Sequence, residues 1–393
     1  MIKIARLIPF FSGQYGGPVK HILELTKNLS KYPIKTTVYA SSEIDHSATK
    51  RTYHYQFINP NFIIKRFNSY IRFKDYRISF SLFPSIFKDC NNIDIFHSHA
   101  FRSFQEDVAA LVSIIKKKKF VITTHGALCT NINYFHYLYK RIYDLADTTL
   151  KNKLLNINYI AVSKIEVEFL KRYGINIENI HYIPHGINTN HFKPHDPMQI
   201  ISKYNLSRLL GKDIILYVGR IAKRKGIDIL IKAFSTLKDD FPNAILLIVG
   251  GDYGYKNTIQ KLAKKQKFSD KIVFLGFIPK LDLPGIYSLA KVVVYPSKFE
   301  IFGHVILEAN ACEKPVIASN HWGPKELIRD SQTGYLINYG NIFQLKEKIK
   351  KILENEDLRN QMGKNARNYV KKQFSWKKNA NEHFKLYQKI LNS

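Results

Sequence analysis

The stretch "KVVVYPSKFEIFGHVILEANACEKPVIAS" (Lys291–Ser319) reads as strand, loop, helix, strand. "KVVVYPS" (Lys291–Ser297) is a short apolar run, and "KPVIAS" (Lys314–Ser319) is another. Between them "IFGHVILEANA" reads as a short helix starting near Gly303. Short buried-looking strands joined through helices belong to parallel sheets covered on both faces. In such sheets ligands gather at the carboxyl ends of the strands. Glu300 and Glu308 stand just there, in otherwise mostly apolar sequence.

The same alternation extends in both directions. Upstream, "DIILYVGR" (Asp213–Arg220), "AILLIVGG" (Ala244–Gly251) and "KIVFLGF" (Lys271–Phe277) read as strands, and "GYLINY" (Gly334–Tyr339) follows downstream. An earlier series comprises "IKIARLI" (Ile2–Ile8), "TTVYAS" (Thr37–Ser42), "IDIFHSHA" (Ile93–Ala100), "FVITTHG" (Phe120–Gly126), "INYIAVS" (Ile157–Ser163) and "IHYIPHGIN" (Ile180–Asn188). A polar stretch from Asp196 to Lys212 separates the two series and reads as a linker. The length of 393 residues suits about two domains. The expected fold is therefore α/β, with two doubly wound parallel-sheet domains, 1–200 and 201–375, facing across a cleft. From Gln344 onward the chain reads helical, with a break near Phe374–Ser375.

The chain carries 61 Lys+Arg against 31 Asp+Glu, a formal charge of +30. Residues 1–200 hold 27 basic and 14 acidic side chains and the remainder 34 and 17, which excludes a single basic tail. Such a field favours an anionic partner: nucleic acid, an acidic membrane or a phosphorylated ligand. A solvated Lys-rich surface is the plainer reading. Cys90, Cys129 and Cys312 have no metal-like spacing and suit a reducing compartment as small core residues. The N-terminal "MIKIARLIPFFSG" is too short and too charged for a signal peptide, and no apolar run suits a bilayer span. The expected location is cytoplasmic, with any membrane role peripheral.

Several loops at strand ends carry chemistry. In "VGRIAKRKG" (Val218–Gly226), Arg220 and Lys225 can grip a diphosphate, one as a planar fork and one as a point charge. A solvated basic loop is the alternative. Free backbone N–H groups at Gly303, His304 and Val305 would face a phosphate at a helix start. Glu308 would lie roughly 7 Å further along that helix, so that Glu300 and Glu308 could address different parts of one elongated ligand. Glu308 could equally be a core acid paired with a lysine. "SGQYGG" (Ser12–Gly17) is neither a Walker A loop nor a G-x-G-x-x-G; it offers close backbone approach, or an ordinary turn. His97 and His99 form an H-x-H that could bind a metal, although no acidic or cysteine partner recurs nearby in sequence. His125 in "TTHG" is a better polar cleft residue, and His185 in "IPHG" is as readily structural. Neither a bound metal nor a cofactor is expected.

In order along the chain, the early "GG", "HSH", "THG", "AVSKIE", "IPHGIN", "YVGRIAKRKGID", "FLGFIPKLDLPGIYSLA" and "FEIFGHVILEANA" resemble the retaining family-4 glycosyltransferases of GT-B architecture. The resemblance spans nearly the whole chain. It implies that Arg220 and Lys225 hold the donor diphosphate, Glu300 contacts donor-sugar hydroxyls, and Glu308 contacts the ribose. Gly303, His304 and Val305 would supply backbone donors, Phe277 and Ile278 the base-contacting loop. His125 would be a cleft histidine near the transferred sugar, and Gly16 and Gly17 would shape the acceptor side. It further implies a final helix, 376–393, crossing back to the first domain. Glu313 stands where the family usually has glycine, and Trp322 occupies the first place of a usual double glycine.

The implied reaction moves a sugar with retention from a UDP- or GDP-linked donor to a hydroxyl of a lipid-linked or polymeric glycan, without a metal. Two aromatic and basic stretches, Asn59–Phe83 and Asn133–Tyr143, suit an anionic membrane surface, or else an aromatic core with exposed cations. A nucleotide-sugar epimerase of the same fold and a nucleic-acid-binding protein are the rival readings. The second lacks a recognisable reader motif, and nucleic acid is not the expected partner.

Overall fold

The computed structural model describes residues 1–11, 17–42, 53–73, 76–129, 138–237, 239–266 and 268–393. The chain forms two compact units: Met1–His185 with Trp376–Ser393, and Gly186–Ser375.

The first unit runs β1 (Ile2–Phe10), α1 (Gly17–Leu29), β2 (Ile34–Ser41), β3 (Tyr53–Asn59), β4 (Phe62–Phe67), β5 (Ile71–Phe73), β6 (Tyr76–Ile78) and α2 (Leu82–Asp89). It continues with β7 (Ile95–Ser98), α3 (Phe104–Lys116), β8 (Lys119–Thr123), α4 (Leu138–Leu155), β9 (Asn158–Ala161), α5 (Lys164–Arg172) and β10 (Ile180–Tyr182). Eight strands form one sheet in the order β10-β9-β8-β7-β1-β2-β4-β3, parallel except for the β3–β4 hairpin. β1 holds the centre because its run buries Ile4, Ala5, Leu7 and Ile8 on both faces. On one face Leu82, Ile86, Val108 and Leu170 pack against Phe96, Phe120 and Tyr159. On the other, Leu25 and Leu29 of α1 meet Trp376, Leu386, Tyr387 and Ile390. Those last residues belong to the C-terminal helix (Trp376–Asn392).

The second unit runs α6 (Met198–Lys203), β11 (Asp213–Val218), α7 (Ile227–Ser235), β12 (Ala244–Val249), α8 (Lys256–Lys265), β13 (Ile272–Gly276), α9 (Leu283–Leu289) and β14 (Val292–Tyr295). It ends with α10 (His304–Ala311), β15 (Val316–Ser319), α11 (Pro324–Leu327), β16 (Gly334–Ile337), α12 (Ile342–Glu354) and α13 (Glu356–Gln373); the C-terminal helix is then α14. Its sheet, β13-β12-β11-β14-β15-β16, is wholly parallel. The strand order reverses between β11 and β14, which opens the crevice where doubly wound sheets hold nucleotides.

The boundary between the units falls after His185, not at residue 200. The polar stretch 196–212 is folded: Ile200, Ile201, Leu206 and Leu209 are buried. Gly285 of α9 makes room for Ile200, since a Cβ there would lie 2.1 Å from its Cγ1. A polar surface on a short helix with a narrow apolar stripe looked like a linker.

Candidate active site

The switch point of the second unit gathers the residues that the sequence singled out. β11 leads into Arg220 and Lys225, and β14 leads through Pro296 to Glu300. Lys225 Nζ donates to Glu300 Oε2 at 2.6 Å and to the Tyr295 hydroxyl at 2.6 Å. Tyr295 in turn donates to the same carboxylate oxygen, also at 2.6 Å. The three groups close a triangle in which Lys225 and Tyr295 are buried. Burial works against the Glu300 carboxylate, but Lys225, Tyr295 and the charge of His304 hold it below the usual carboxylate range. Burial also draws Lys225 below the usual lysine range, helped by Arg224 and Arg220 and opposed by Glu300. An anionic group placed beside Lys225 would reverse that trend.

Gly226 permits the close approach. Its φ is 67°, and a Cβ would lie 2.0 Å from the Pro296 carbonyl oxygen. A side chain there would push the basic loop away from β14 and open the triangle. Arg220 lies over the Tyr253 ring at 5.1 Å, and its carbonyl accepts from Tyr217 at 3.0 Å. The chain after Glu300 turns through Gly303, at φ 105°, into α10. His304 and Val305 are thus the first residues of a helix that runs away from Glu300, with its first-turn N–H groups directed back toward the helix start. Glu308 sits on the buried side of α10, where the Tyr287 hydroxyl donates to it at 2.9 Å. Phe277 and Ile278 leave β13 at the same end of the sheet, with Phe277 76% exposed and Ile278 buried.

Both departures from the family pattern are backbone positions. Glu313 has φ 58° and follows Cys312, the C-cap of α10. The N–H of Lys314 donates to Ala309 and that of Glu313 to Asn310, the pattern of a helix end that favours glycine. Glu313 takes the strained place and faces Arg367 Nε at 3.6 Å. Trp322 has φ 59°, and its ring meets Phe299 edge-on at 4.5 Å. The adjacent Gly323 N–H donates to the Glu300 carbonyl at 3.0 Å. Trp322 therefore braces the loop that carries Glu300.

In the first unit the corresponding switch point lies between β1 and β7. Arg6, fully buried on β1, donates to His97 Nδ1 at 3.1 Å and His99 Nε2 at 2.7 Å, and to the Tyr387 hydroxyl at 3.2 Å. A fixed cation thus occupies the place that the H-x-H spacing had offered a metal. Because arginine only donates, His97 carries its proton on Nε2, toward Thr123 at 2.8 Å. His99 likewise carries its proton on Nδ1, 3.4 Å from His125 Nε2. His21 and His185 share a 2.7 Å contact, and His185 stacks on His125 at 5.3 Å. Burial first, and the charge of Arg6 with it, pushes His97 and His99 well below the usual histidine range.

His125 has φ 47° and lines a hollow of about 400 Å³ with His99, Phe10, Val19, Phe101 and Ala127 among others. The buried Glu166 fixes this loop, accepting from Thr124 Oγ1, from Gly126 N at 2.6 Å and from Val162 N at 2.7 Å. Glu166 is the fourth residue of "SKIE", where Ser163 caps α5. Gly17 is the first residue of α1, one position earlier than Pro18, and Gly16 lies outside the described residues.

Two α/β units, each built on a largely parallel sheet, are the architecture of the GT-B class of sugar transferases. The profile of the glycosyl transferases group 1 matches residues 199–369, and that of glycosyltransferase family 4 matches residues 15–191. Between them they span most of the chain, which belongs to the family-4 glycosyltransferases. An uncharacterized glycosyltransferase of Methanocaldococcus jannaschii is 28% identical over 411 residues, covering 100% of both chains. The GDP-mannose-dependent alpha-(1-6)-phosphatidylinositol monomannoside mannosyltransferase of Mycobacterium tuberculosis is 30% identical over 205 residues. That match spans 50% of this chain and 53% of the relative. Among solved structures, sucrose-phosphate synthase from Thermosynechococcus elongatus superimposes with a TM-score of 0.78 at 22% identity, covering 100% of both chains. Anabaena HepE in complex with UDP and glucose gives 0.78 at 20%, covering 99% of this chain and 100% of its own. The epimerase and nucleic-acid readings find no support in these matches.

Proposed function

We propose that the chain transfers a sugar from a UDP- or GDP-linked donor to a hydroxyl of a lipid-linked or polymeric glycan, with retention and without a metal. The observation that carries this reading is the Lys225–Tyr295–Glu300 triangle at the β11–β14 switch point, directly before the start of α10. A diphosphate beside Lys225 and Arg220 would meet two cations and the free N–H groups of Gly303, His304 and Val305. Those groups stabilise charge that grows on the leaving phosphate, the work a metal ion does elsewhere. Glu300 and Glu308 accept hydrogen bonds, which suits sugar and ribose hydroxyls. The bond from the anomeric carbon to the leaving phosphate breaks while the acceptor oxygen bonds to the same face. The acceptor proton passes to the leaving phosphate oxygen. His125, aligned through Arg6 and His99, lines the hollow offered to the acceptor.

The charge of +30 favours an anionic membrane as the place where acceptors are met, with the chain peripheral on the inner face of the cell membrane. Proton NMR of the glycoside formed from donor and acceptor tests the reaction. An axial linkage from an axial donor, formed equally well with EDTA present, is expected. An inverted linkage, or loss of turnover in EDTA, would overturn retention or metal independence respectively.

A further inference from the structure

Helix α4 is amphipathic in the reverse sense. Its inward residues are charged or polar: Asp144 is fully buried and bound to Arg102, and Thr148 is buried. Lys151 is buried at 2.8 Å from Glu106, 2.9 Å from Asp107 and 2.9 Å from Asp147. Its outward residues are apolar: Ile142, Leu145, Leu150 and Leu154 are 61%, 49%, 61% and 53% exposed. A surface helix normally shows the opposite pattern. The neighbouring α3, tied to α4 through Glu106 and Asp107, likewise exposes Leu111, Ile114 and Ile115.

Charge on these helices sorts in the same way. The described acids of α3 and α4 all point into the ion cluster. Lysines are exposed beside the apolar residues: Lys116 and Lys117 at the end of α3, Lys153 on α4, and Lys88 on α2. Lys116 lies over the Phe87 ring at 4.4 Å. An apolar stripe bordered by lysines, with its acids turned inward, complements an anionic bilayer, where leucines enter the acyl boundary and ammonium groups meet the headgroups. A second copy of the chain would instead set lysine against lysine.

We infer that the outward face of α3 and α4 is the surface on which this chain sits on an anionic lipid membrane. The inference deepens the peripheral-membrane part of the proposed function and moves the contact away from residues 59–83. In that stretch Phe62, Ile64 and Phe67 are core, and Lys65 is paired with Asp89. The position also suits the acceptor hollow. Arg102 bridges Asp144 of α4 to the carbonyl of Ala127, at 3.1 Å, and Ala127 lines that hollow.

The test is co-sedimentation of the full chain with vesicles of phosphatidylcholine alone, or mixed in equal parts with phosphatidylglycerol. The double variant Leu150→Glu/Leu154→Glu is compared with wild type and with Tyr70→Ser/Phe80→Ser. Wild type and the Tyr70/Phe80 variant should bind anionic vesicles about tenfold better than neutral ones, and the Leu150/Leu154 variant should lose most of that binding. These leucines are exposed, so the thermal melting of the variant and its shift with UDP- or GDP-sugars should match wild type. Unchanged vesicle binding by the Leu150/Leu154 variant would overturn the inference. So would a change of oligomeric state in place of vesicle binding, which would mark a face between copies. Vesicle binding that follows the prediction in a protein that no nucleotide sugar stabilises would sink the transferase reading and leave the docking face standing.

Discussion

Glu300 and Lys225 depend on each other at single-residue scale. Replacing Glu300 with Gln keeps the shape but removes the charge that offsets burial of Lys225. Glu300→Gln and Lys225→Met are each expected to lower kcat by about 10²–10³, the scale of losing one preorganised electrostatic contact. Steady-state rates with a chosen donor check this, and activity within a few-fold of wild type would contradict the assigned roles. Glu313 makes the converse prediction. It pays roughly 1 kcal/mol for a left-handed backbone, while the 3.6 Å contact from its partly exposed carboxylate to Arg367, a guanidinium already held by the Phe192 and Thr189 carbonyls, returns little. Glu313→Gly should therefore raise the melting temperature, or at least not lower it, with activity unchanged. A clear fall in stability would show that the Arg367 contact outweighs the strain.

At the scale of elements, the loops after strands carry the site, and their geometry is set by small closures. Gly226→Ala should abolish donor binding, because its Cβ would lie 2.0 Å from a backbone carbonyl that cannot swing aside. A donor-induced melting shift equal to wild type would refute that reading of the β11 loop. The strands themselves were legible: runs such as "DIILYV" and "AILLIV" are apolar on both faces, as central parallel strands must be. The break at Phe374–Ser375 was legible too, whereas Asn355, which ends α12 and caps α13, was not. The β3–β4 hairpin escaped because its residues mix aromatics with cations and lack a two-residue turn signal. Lys225 and Glu300 were found, 75 residues apart, by the strand-end rule. Tyr295 and Arg6 were not, since each lies inside an apolar strand and has partners fixed only by strand order and by α14. Arg6 meets Tyr387 across 381 residues of sequence.

Across the whole molecule, histidines gathered around Arg6 link stability to acid. Burial lowers His383 to about 3, with Arg6 acting in the same direction. An unfolded histidine titrates near ~6.5, so below that pH the unfolded chain binds more protons. The stability that neutral His383 contributes is complete above ~6.5 and is lost as pH falls toward about 3. Glu106, raised by burial to about 7 against the pull of Lys151, works in the opposite sense. A single-site comparison separates them. His383→Gln should be destabilised relative to wild type at pH 7.5, and the gap should narrow on acidification to pH 5, by at most ~1.4 kcal/mol per pH unit. Denaturant melts at the two pH values check this, and a gap that widens would show that the histidine is charged in the folded chain.

The central claim is that the β11–β14 switch point holds a nucleotide diphosphate sugar against the paired Lys225 and Glu300. A melting-temperature screen of wild type, Lys225→Met and Glu300→Ala against UDP- and GDP-sugars tests it most directly. The account predicts that at least one such donor stabilises wild type by several degrees and that both variants lose most of the shift. A wild type that no nucleotide sugar stabilises, or variants that keep the full shift, would contradict it.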